Sequence, residues 1–488
     1  MDKANEFEFG EDVDFNSVYR FSEESNEQYR IPNELKVEEE SATLKRFISH
    51  HSTQQVSRLN ELERYYEGKN TTIFQRERRK EEYQADNRAS HNFAEYITTF
   101  IQGYMVGVPL KTEYENELIN EELQELNIVN DADELNSELV MDLSIYGRAY
   151  EMVFRNDGLK FAKLNVKNIF LIYDDSIIPK PLYGVRYFND VLNDEVMHVF
   201  LYSTTMVYHY ELDKNKKEMP MVLVEEEPHY FEGVPINEYE NDSKRRGDFE
   251  SILTLIDLYD SAQSDLANYS QDLNDAMFLI EGDVKMTPEQ ARVMKRVNTM
   301  ILIPRSGPTG QKESVSGRYV YKKYDVAGME AYKDRIMQDI FLISNVPNLL
   351  DESFSGNQSG EAIKMKLFGL SQKRATKERK FKKAIRRRYR LIAGNMERAS
   401  ETILDANKIK ITFTENIPRA LSQEVEWFAK LGGRLSDKTI LSLLSFVDNP
   451  AKELEAIERE EEEQRNKRKI ELDFENEAFN DYVGEEDE

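Results

Sequence analysis

Apolar residues recur at helical spacing from Leu44 to Tyr66 and stop at Gly68, which predicts a helix ended by a residue free to turn. The same spacing predicts helices over His91–Val106, closed by Gly107 and Pro109, and over Ala132–Tyr146, closed by Gly147. The period then drops to two. Residues 149–164 (AYEMVFRNDGLKFAKL) alternate on both sides of an Asn-Asp-Gly turn, a hairpin signal, and β-rich segments follow at 168–175, 182–188, 195–203 and 206–212. A mixed α/β unit therefore covers roughly residues 41–240.

Helical spacing returns at Asp248. Ile252, Leu255, Tyr259, Ala262, Leu266, Tyr269, Leu273 and Ala276 step alternately by three and four, an a/d seam on a helix roughly 40 Å long. Between residues 249 and 283 stand eight acids and no Lys or Arg, so this helix lacks every favourable i, i+4 charge pair. Such acidity reads either as a solvated face or as an electrostatic requirement. Residues 277–325 form a compact insert of strand, helix, strand, loop and strand, and a second helix over 328–344 ends before Pro347. A Gly/Ser-rich loop then runs into a basic helix, a strand is expected at 409–414, and further helices follow from EVEWFAKL onward. The overall expectation is an α+β chain, mainly helical. The terminal stretches 1–40, with 13 acids against 4 bases, and 453–488, with 16 against 5, read as acidic tails fraying into disorder.

Composition narrows the chemistry. The 488 residues carry a net charge of -27, which disfavours general adhesion to nucleic acid or anionic membrane. There is no cysteine, which removes disulfides, thiolate zinc sites and cysteine nucleophiles and fits a reducing compartment. No apolar run approaches the ~20 residues of a membrane span, and no leader is read at the N-terminus. Gly307–Lys312 (GPTGQK) lacks the spacing and the Lys-Ser/Thr pair of a phosphate loop. His50, His51, His91, His198, His209 and His229 form no zinc-helix pair, and each reads as structural. Arg246-Gly247-Asp248 reads as a loop and helix cap. No catalytic constellation, no metal site and no cofactor is expected.

Lys373 to Arg390 holds eleven Lys/Arg and one acid, Glu378. It could enter a DNA groove, brush a polyanion, or pair with acidic surfaces of neighbouring copies of the chain. Ile363, Leu367, Leu370, Phe381, Ile385, Ile392 and Met396 share one face, so the helix is a packed amphipathic element and not a free arm.

GVPINEYEN (233–241), the acidic helix ending in QDLNDAMFLIEGD and, above all, residues 345–392 resemble the portal proteins of tailed bacteriophages, of the type found in long-tailed phages of Gram-positive bacteria. HNFAEYITTFIQGYMVGVPL and SIYGRAYEMVF resemble earlier segments of the same family, and the likeness covers roughly 41–450. The resemblance implies an elongated subunit of a ring of about a dozen copies. Its parts would be an α/β wing (41–245), stem helices (248–276 and 328–344), a small α/β clip (277–325), a tunnel loop (346–360), the basic helix with a wing return strand (361–420) and a helical crown (421–470), with a disordered tail at 471–488.

It further implies a non-enzymatic channel for double-stranded DNA at one capsid vertex, assembled in the host cytoplasm. Its partners would be the terminase large subunit, a head-completion adaptor, and the major capsid and scaffolding proteins, with no membrane. DNA contact would fall on Leu349, Leu350, Asp351, Glu352, Ser353, Phe354, Ser355, Asn357, Gln358 and Ser359. Asp257, Asp260, Asp265, Asp272 and Asp275 would form the acidic stem face. Arg292, Lys295, Arg296, Arg305 and Lys312 would serve docking at the clip. Lys377, Lys380, Lys383, Arg386, Arg387 and Arg390 would join subunits. The alternative is a DNA-binding regulatory or structural protein that uses 373–390 as its recognition helix.

Overall fold

A computed structural model describes residues 20–75, 85–193, 195–213, 221–273, 277–282, 289–290, 300–304, 316–320, 325–349, 360–400, 404–416, 436–437, 441 and 453–468. The chain is mixed α+β and about half helical, richer in strand than a mainly helical reading implies. It divides into two units, one of residues 1–357 with 363–416 and one of 358–362 with 417–488. In the second, residues 453–468 are helical.

Within the first unit a six-stranded sheet runs in the order β1 (Tyr29–Ile31), β5 (Ile169–Asp174), β6 (Pro181–Asn189), β7 (Val196–Tyr202), β8 (Met206–Asp213) and β9 (Met221–Pro228). Strand β1 joins parallel and the others antiparallel. One face buries Phe170, Ile172, Val185, Val199 and Leu201 under Leu44 and Ile48 of helix α1 (Ser41–His50). The outer edge, β9, carries Glu225, Glu226 and Glu227 in succession, charges that discourage edge-to-edge pairing. A three-stranded sheet of β10 (Ile236–Glu240), β3 (Arg148–Arg155) and β4 (Leu159–Leu164) packs with helices α4 (Phe93–Val106), α6 (Ala132–Tyr146) and the long basic helix α10 (Phe368–Ser400). Strand β2 (Lys111–Glu113) pairs antiparallel with β14 (Lys410–Thr412), so the strand expected at 409–414 forms and joins the early part of the chain.

The punctuation predicted from glycine holds. The α6 helix ends on Gly147 at φ +80°, where a Cβ would come within 2.2 Å of the Arg245 carbonyl oxygen, so neither the turn nor the approach tolerates a side chain. The β3–β4 hairpin turns through Asp157 and Gly158, both at positive φ. The helix expected over 44–66 is interrupted by a π-turn at His51–Gln55 between α1 and α2 (Val56–Tyr66).

The reading of residues 1–40 as a mostly disordered tail is corrected over 20–40, where Tyr29, Ile31 and Val37 are buried against the sheet. Three apolar residues among acids are too few to show a period, yet enough to add a strand to an existing edge. Helix α5 (Glu117–Val129) and strand β9 were not expected. In the insert, β11 (Met277–Gly282) pairs parallel with β12 (Met300–Pro304) and antiparallel with β13 (Ser316–Val320). The helix expected between β11 and β12 lies, apart from residues 289–290, outside the described residues.

Candidate channel elements

Helix α7 (Leu253–Leu273) is positioned by a polar stripe. Its buried positions include Ile256, Asp260, Ser264 and Asn268, four residues apart, and not the a/d seam alone; of that seam Ile252 and Ala262 are buried and Leu255, Tyr259, Leu266 and Tyr269 half-buried. An extended segment, residues 86–92, lies along the stripe. The backbone N–H groups of Asn87, Ala89 and His91 donate in turn to Asn268 Oδ1 (2.6 Å), Ser264 Oγ (2.9 Å) and Asp260 Oδ1 (2.9 Å). Two residues of extended chain rise about 6.6 Å and four of helix about 6.0 Å. The two repeats therefore match, and side-chain oxygens on a helix serve an extended strand as a sheet edge would.

Of the acidic face expected on α7, this arrangement turns Asp260 inward. Asp260 is fully buried and also accepts from His91 Nδ1 and Asn70 Nδ2, so it is a packing group. Asp257 pairs with Arg20 at 2.7 Å and accepts from Thr72 and Tyr65. Asp265 is exposed. The side chains of Asp272 and Asp275 lie outside the described residues.

Helix α8 (Val326–Ser344) returns along α7, with Lys333 Nζ donating to Gln263 Oε1 at 2.6 Å. It ends at Asn345 in the left-handed region. Where α8 ends and the 3-10 turn Glu250–Ile252 leads into α7, the basic helix grips both. Lys373 Nζ lies 3.1 Å from the Ser344 carbonyl oxygen and 3.1 Å from Asp248 Oδ1. Lys377 Nζ pairs with Asp248 Oδ2, both side chains buried. Burial pushes the Asp248 carboxyl up, but the ammoniums of Lys373 and Lys377 outweigh it and hold the group well below the ordinary carboxylate range. A polar cleft of about 540 Å³ opens beside this cluster, lined by Arg246, Gln372, Lys373 and Phe368 among others.

Further along α10 the pattern repeats. Lys380 Nζ meets Glu240 at 2.6 Å, and Arg387 donates to the Ile236 and Val234 carbonyl oxygens at 2.6 and 3.1 Å. Arg388 Nε stands 2.6 Å from Glu151 Oε1, both side chains fully buried, with Asn136 accepting from Arg388 and Tyr239 donating to Glu151. Arg390 reaches Asn407 at 3.2 Å. Lys377, Lys380 and Arg387, which the resemblance assigned to subunit joining, are each engaged inside their own chain. Arg386 is half-buried and Lys383 exposed. Sequence reasoning missed Arg388 and Glu151, the most buried pair, because a lone glutamate in an apolar strand carries no local mark of its partner.

The remaining expected residues are thinly described. Leu349 is about half-exposed, while Leu350, Asp351, Glu352, Ser353, Phe354, Ser355, Asn357, Gln358 and Ser359 of the loop lie outside the described residues. So do Arg292, Lys295, Arg296, Arg305 and Lys312 of the insert. Among the described residues, one group could hold a metal ion: His198, His209 and Glu211, on the outer face of the six-stranded sheet. No helix among them is long and apolar enough to cross a membrane.

Residues 45–467 match the family model described as phage portal protein, SPP1 Gp6-like. The portal protein of Bacillus phage SPP1 is 23% identical over 392 residues, covering 77% of this chain and 76% of its own length. The portal protein of Clostridium phage phiCD119 is 23% identical over 389 residues, covering 75% and 83%. Among solved structures, the neck of an empty GTA particle computed with C6 symmetry matches at TM-score 0.37 and 14% identity, over 72% of this chain and 89% of its own. The virion of a native gene transfer agent particle matches at 0.38 and 12%, over 79% and 92%.

Proposed function

The chain belongs to the SPP1 Gp6-like phage portal protein family, and from that premise we propose how its parts divide the work of a portal. The protein is a phage portal protein, a non-enzymatic virion component that connects DNA packaging to the particle. As a family of this kind implies, it acts as an oligomeric ring. We assign α7 and α8 to the stem, β11–β13 to the clip, residues 346–360 to the tunnel loop, 421–470 to the crown and the two larger sheets to the wing.

In a ring of about a dozen copies, related by a heterologous contact that closes, double-stranded DNA would pass along the axis. Terminase and a head-completion adaptor would dock at the clip, and capsid and scaffolding proteins at the wing. DNA carries one charge per ~1.7 Å, and every phosphate gripped by a cation deepens a well that translocation must leave. Bases consumed inside the subunit cannot grip it. The observation that carries the ring reading, beyond the family match, is the apolar surface left on the stem: Leu258 on α7, with Tyr332 and Leu342 on α8, is exposed in the single chain. A recognition-helix role for 373–390 is disfavoured, because Lys377 and Arg388 are buried in ion pairs.

Sedimentation velocity and negative-stain imaging test this. The expected species is a ring many times the 57.2 kDa chain mass. A monomer at every concentration and salt would refute it.

A further inference from the structure

We infer that the outer face of the six-stranded sheet carries a site for a divalent transition-metal ion, held by His198 Nδ1, His209 Nε2 and the Glu211 carboxylate. The inference stands on this sheet and not on the portal assignment.

The antiparallel register of β7 and β8 sets His198 opposite Glu211 and Phe200 opposite His209. With side chains alternating between faces, Val199, Leu201 and Tyr210 enter the core while His198, Phe200, His209 and Glu211 share the half-exposed side. His198 Nδ1 is 3.1 Å from His209 Nε2 and 3.8 Å from Glu211 Oε1, and the three donor atoms lie within 4.8 Å of one another. Two nitrogens each about 2.0–2.1 Å from a tetrahedral zinc stand roughly 3.3 Å apart. The nitrogens are thus already at ligand spacing, and the partly exposed Glu211 needs only a side-chain rotation to close the set.

The tautomer is prepared. His198 Nε2 lies 3.1 Å from Asp190 Oδ2, and a carboxylate demands a proton there, which leaves the lone pair of His198 on Nδ1, facing His209. Asp190 is itself fixed by the backbone N–H groups of Leu192 and Asn193, at 2.8 and 3.0 Å. A carboxylate that orients an imidazole toward a metal is the usual outer partner of a histidine ligand. His209 is held by parallel stacking on Phe200, centroids 4.4 Å apart and planes within 1°. Arg186, a cation on this face, has its guanidinium over the rings of Phe188 and Phe200.

Two imidazole nitrogens and one carboxylate suit zinc, cobalt or nickel, whereas calcium and magnesium favour all-oxygen sets. The fourth position is left to water. Such an ion would tie β7 to β8 across the sheet and, through Asp190, to the turn after β6.

The full-length protein, stripped by a chelator and titrated with cobalt chloride, should develop the visible band of tetrahedral cobalt at one equivalent per chain, and zinc should displace it. His209→Gln should abolish the band. Asp190→Asn should keep the stoichiometry and weaken affinity about 10–100-fold, the effect of losing an orienting partner. Absence of the band in the unsubstituted protein, or its persistence in His198→Gln/His209→Gln, would overturn the inference. Should the histidine variants fail to fold by circular dichroism, Glu211→Gln serves: at least a tenfold loss of affinity is required, and an unchanged titration counts against the site.

Discussion

Replacing Asp248 by asparagine should cost the protein about 3–5 kcal/mol, the usual penalty for leaving a buried charge without its partner. The carboxylate is fully buried, and it accepts from Asn241 as well as facing Lys373 and Lys377. Its loss strands the Lys377 ammonium, whose side chain is only 2% exposed. Lys377→Met should cost less, about 1–3 kcal/mol, because Lys373 at 3.1 Å still balances Asp248. The double variant should be more stable than the sum of the two losses predicts, by about 1–3 kcal/mol, since each single change leaves a charge that the other removes. Urea unfolding followed by circular dichroism, at fixed protein concentration, measures all three. The pH dependence has a definite sign. The folded-state carboxyl titrates below its ordinary value of 3.8, so its stabilisation is complete above about pH 4 and lost as pH falls towards the folded value. Asp248→Asn should therefore flatten the acid limb below pH 4, and because the stranded Lys377 then gives up its proton more readily, the variant should gain stability as pH rises through neutrality. If both single variants lie within about 0.5 kcal/mol of the parent, as ordinary surface changes do, the basic helix does not anchor the start of α7.

Asp260→Ala should destabilise by about 3 kcal/mol through three unpaired donors, while exposed Asp265→Ala stays within about 0.5 kcal/mol, and urea midpoints decide between packing and surface roles. Burial raises the Asp142 carboxyl to about 6 despite Lys163 nearby. Because that exceeds the unfolded value, stability should fall by about 3 kcal/mol between roughly pH 4 and 6, and Asp142→Asn should melt higher at pH 7–8 with that fall removed. Shortening residues 353–359 should spare ring formation and impair DNA packaging; loss of rings, or full packaging with intact rings, refutes an axial role for the loop.

What was legible in the sequence was whatever is encoded locally. Gly68 and Gly147 ended their helices, Asp157-Gly158 made its hairpin, and the apolar face of 363–392 is the face that packs, with Leu367, Leu370, Phe381, Ile385 and Ile392 buried. What escaped depends on a partner distant in the chain. The Asp260-Ser264-Asn268 stripe breaks the rule that buried helix positions are apolar, because an extended segment some 180 residues away supplies its donors. A run of small polar residues at strict i, i+4 spacing was the available sign, and the a/d pattern of larger residues hid it. His198 and Glu211 are thirteen positions apart and meet only through hairpin register, so a search for helical spacing passes over them. Strand β9 leaves Val222, Leu223 and Val224 exposed at a sheet edge, and a strand without a buried face shows no alternation.

The distribution of charge follows from these pairings. A chain at -27 would repel itself if its acids faced one another across the core, and five of the eleven bases of 373–390 counter that: Lys373 and Lys377 reach Asp248, Lys380 reaches Glu240, Arg388 reaches Glu151 and Arg374 reaches Glu415. Such pairs add little net stability over apolar packing, but each enforces one geometry, since any slip strands a buried charge. The helix is thereby held to one register against β10, β3 and the segment that leads into α7. Farther along α7 the attachment changes character, to neutral side-chain oxygens meeting a single extended segment. Helix α7 itself contains no Lys or Arg, and the cations that reach it, Arg20 and Lys333, come from other segments of the chain.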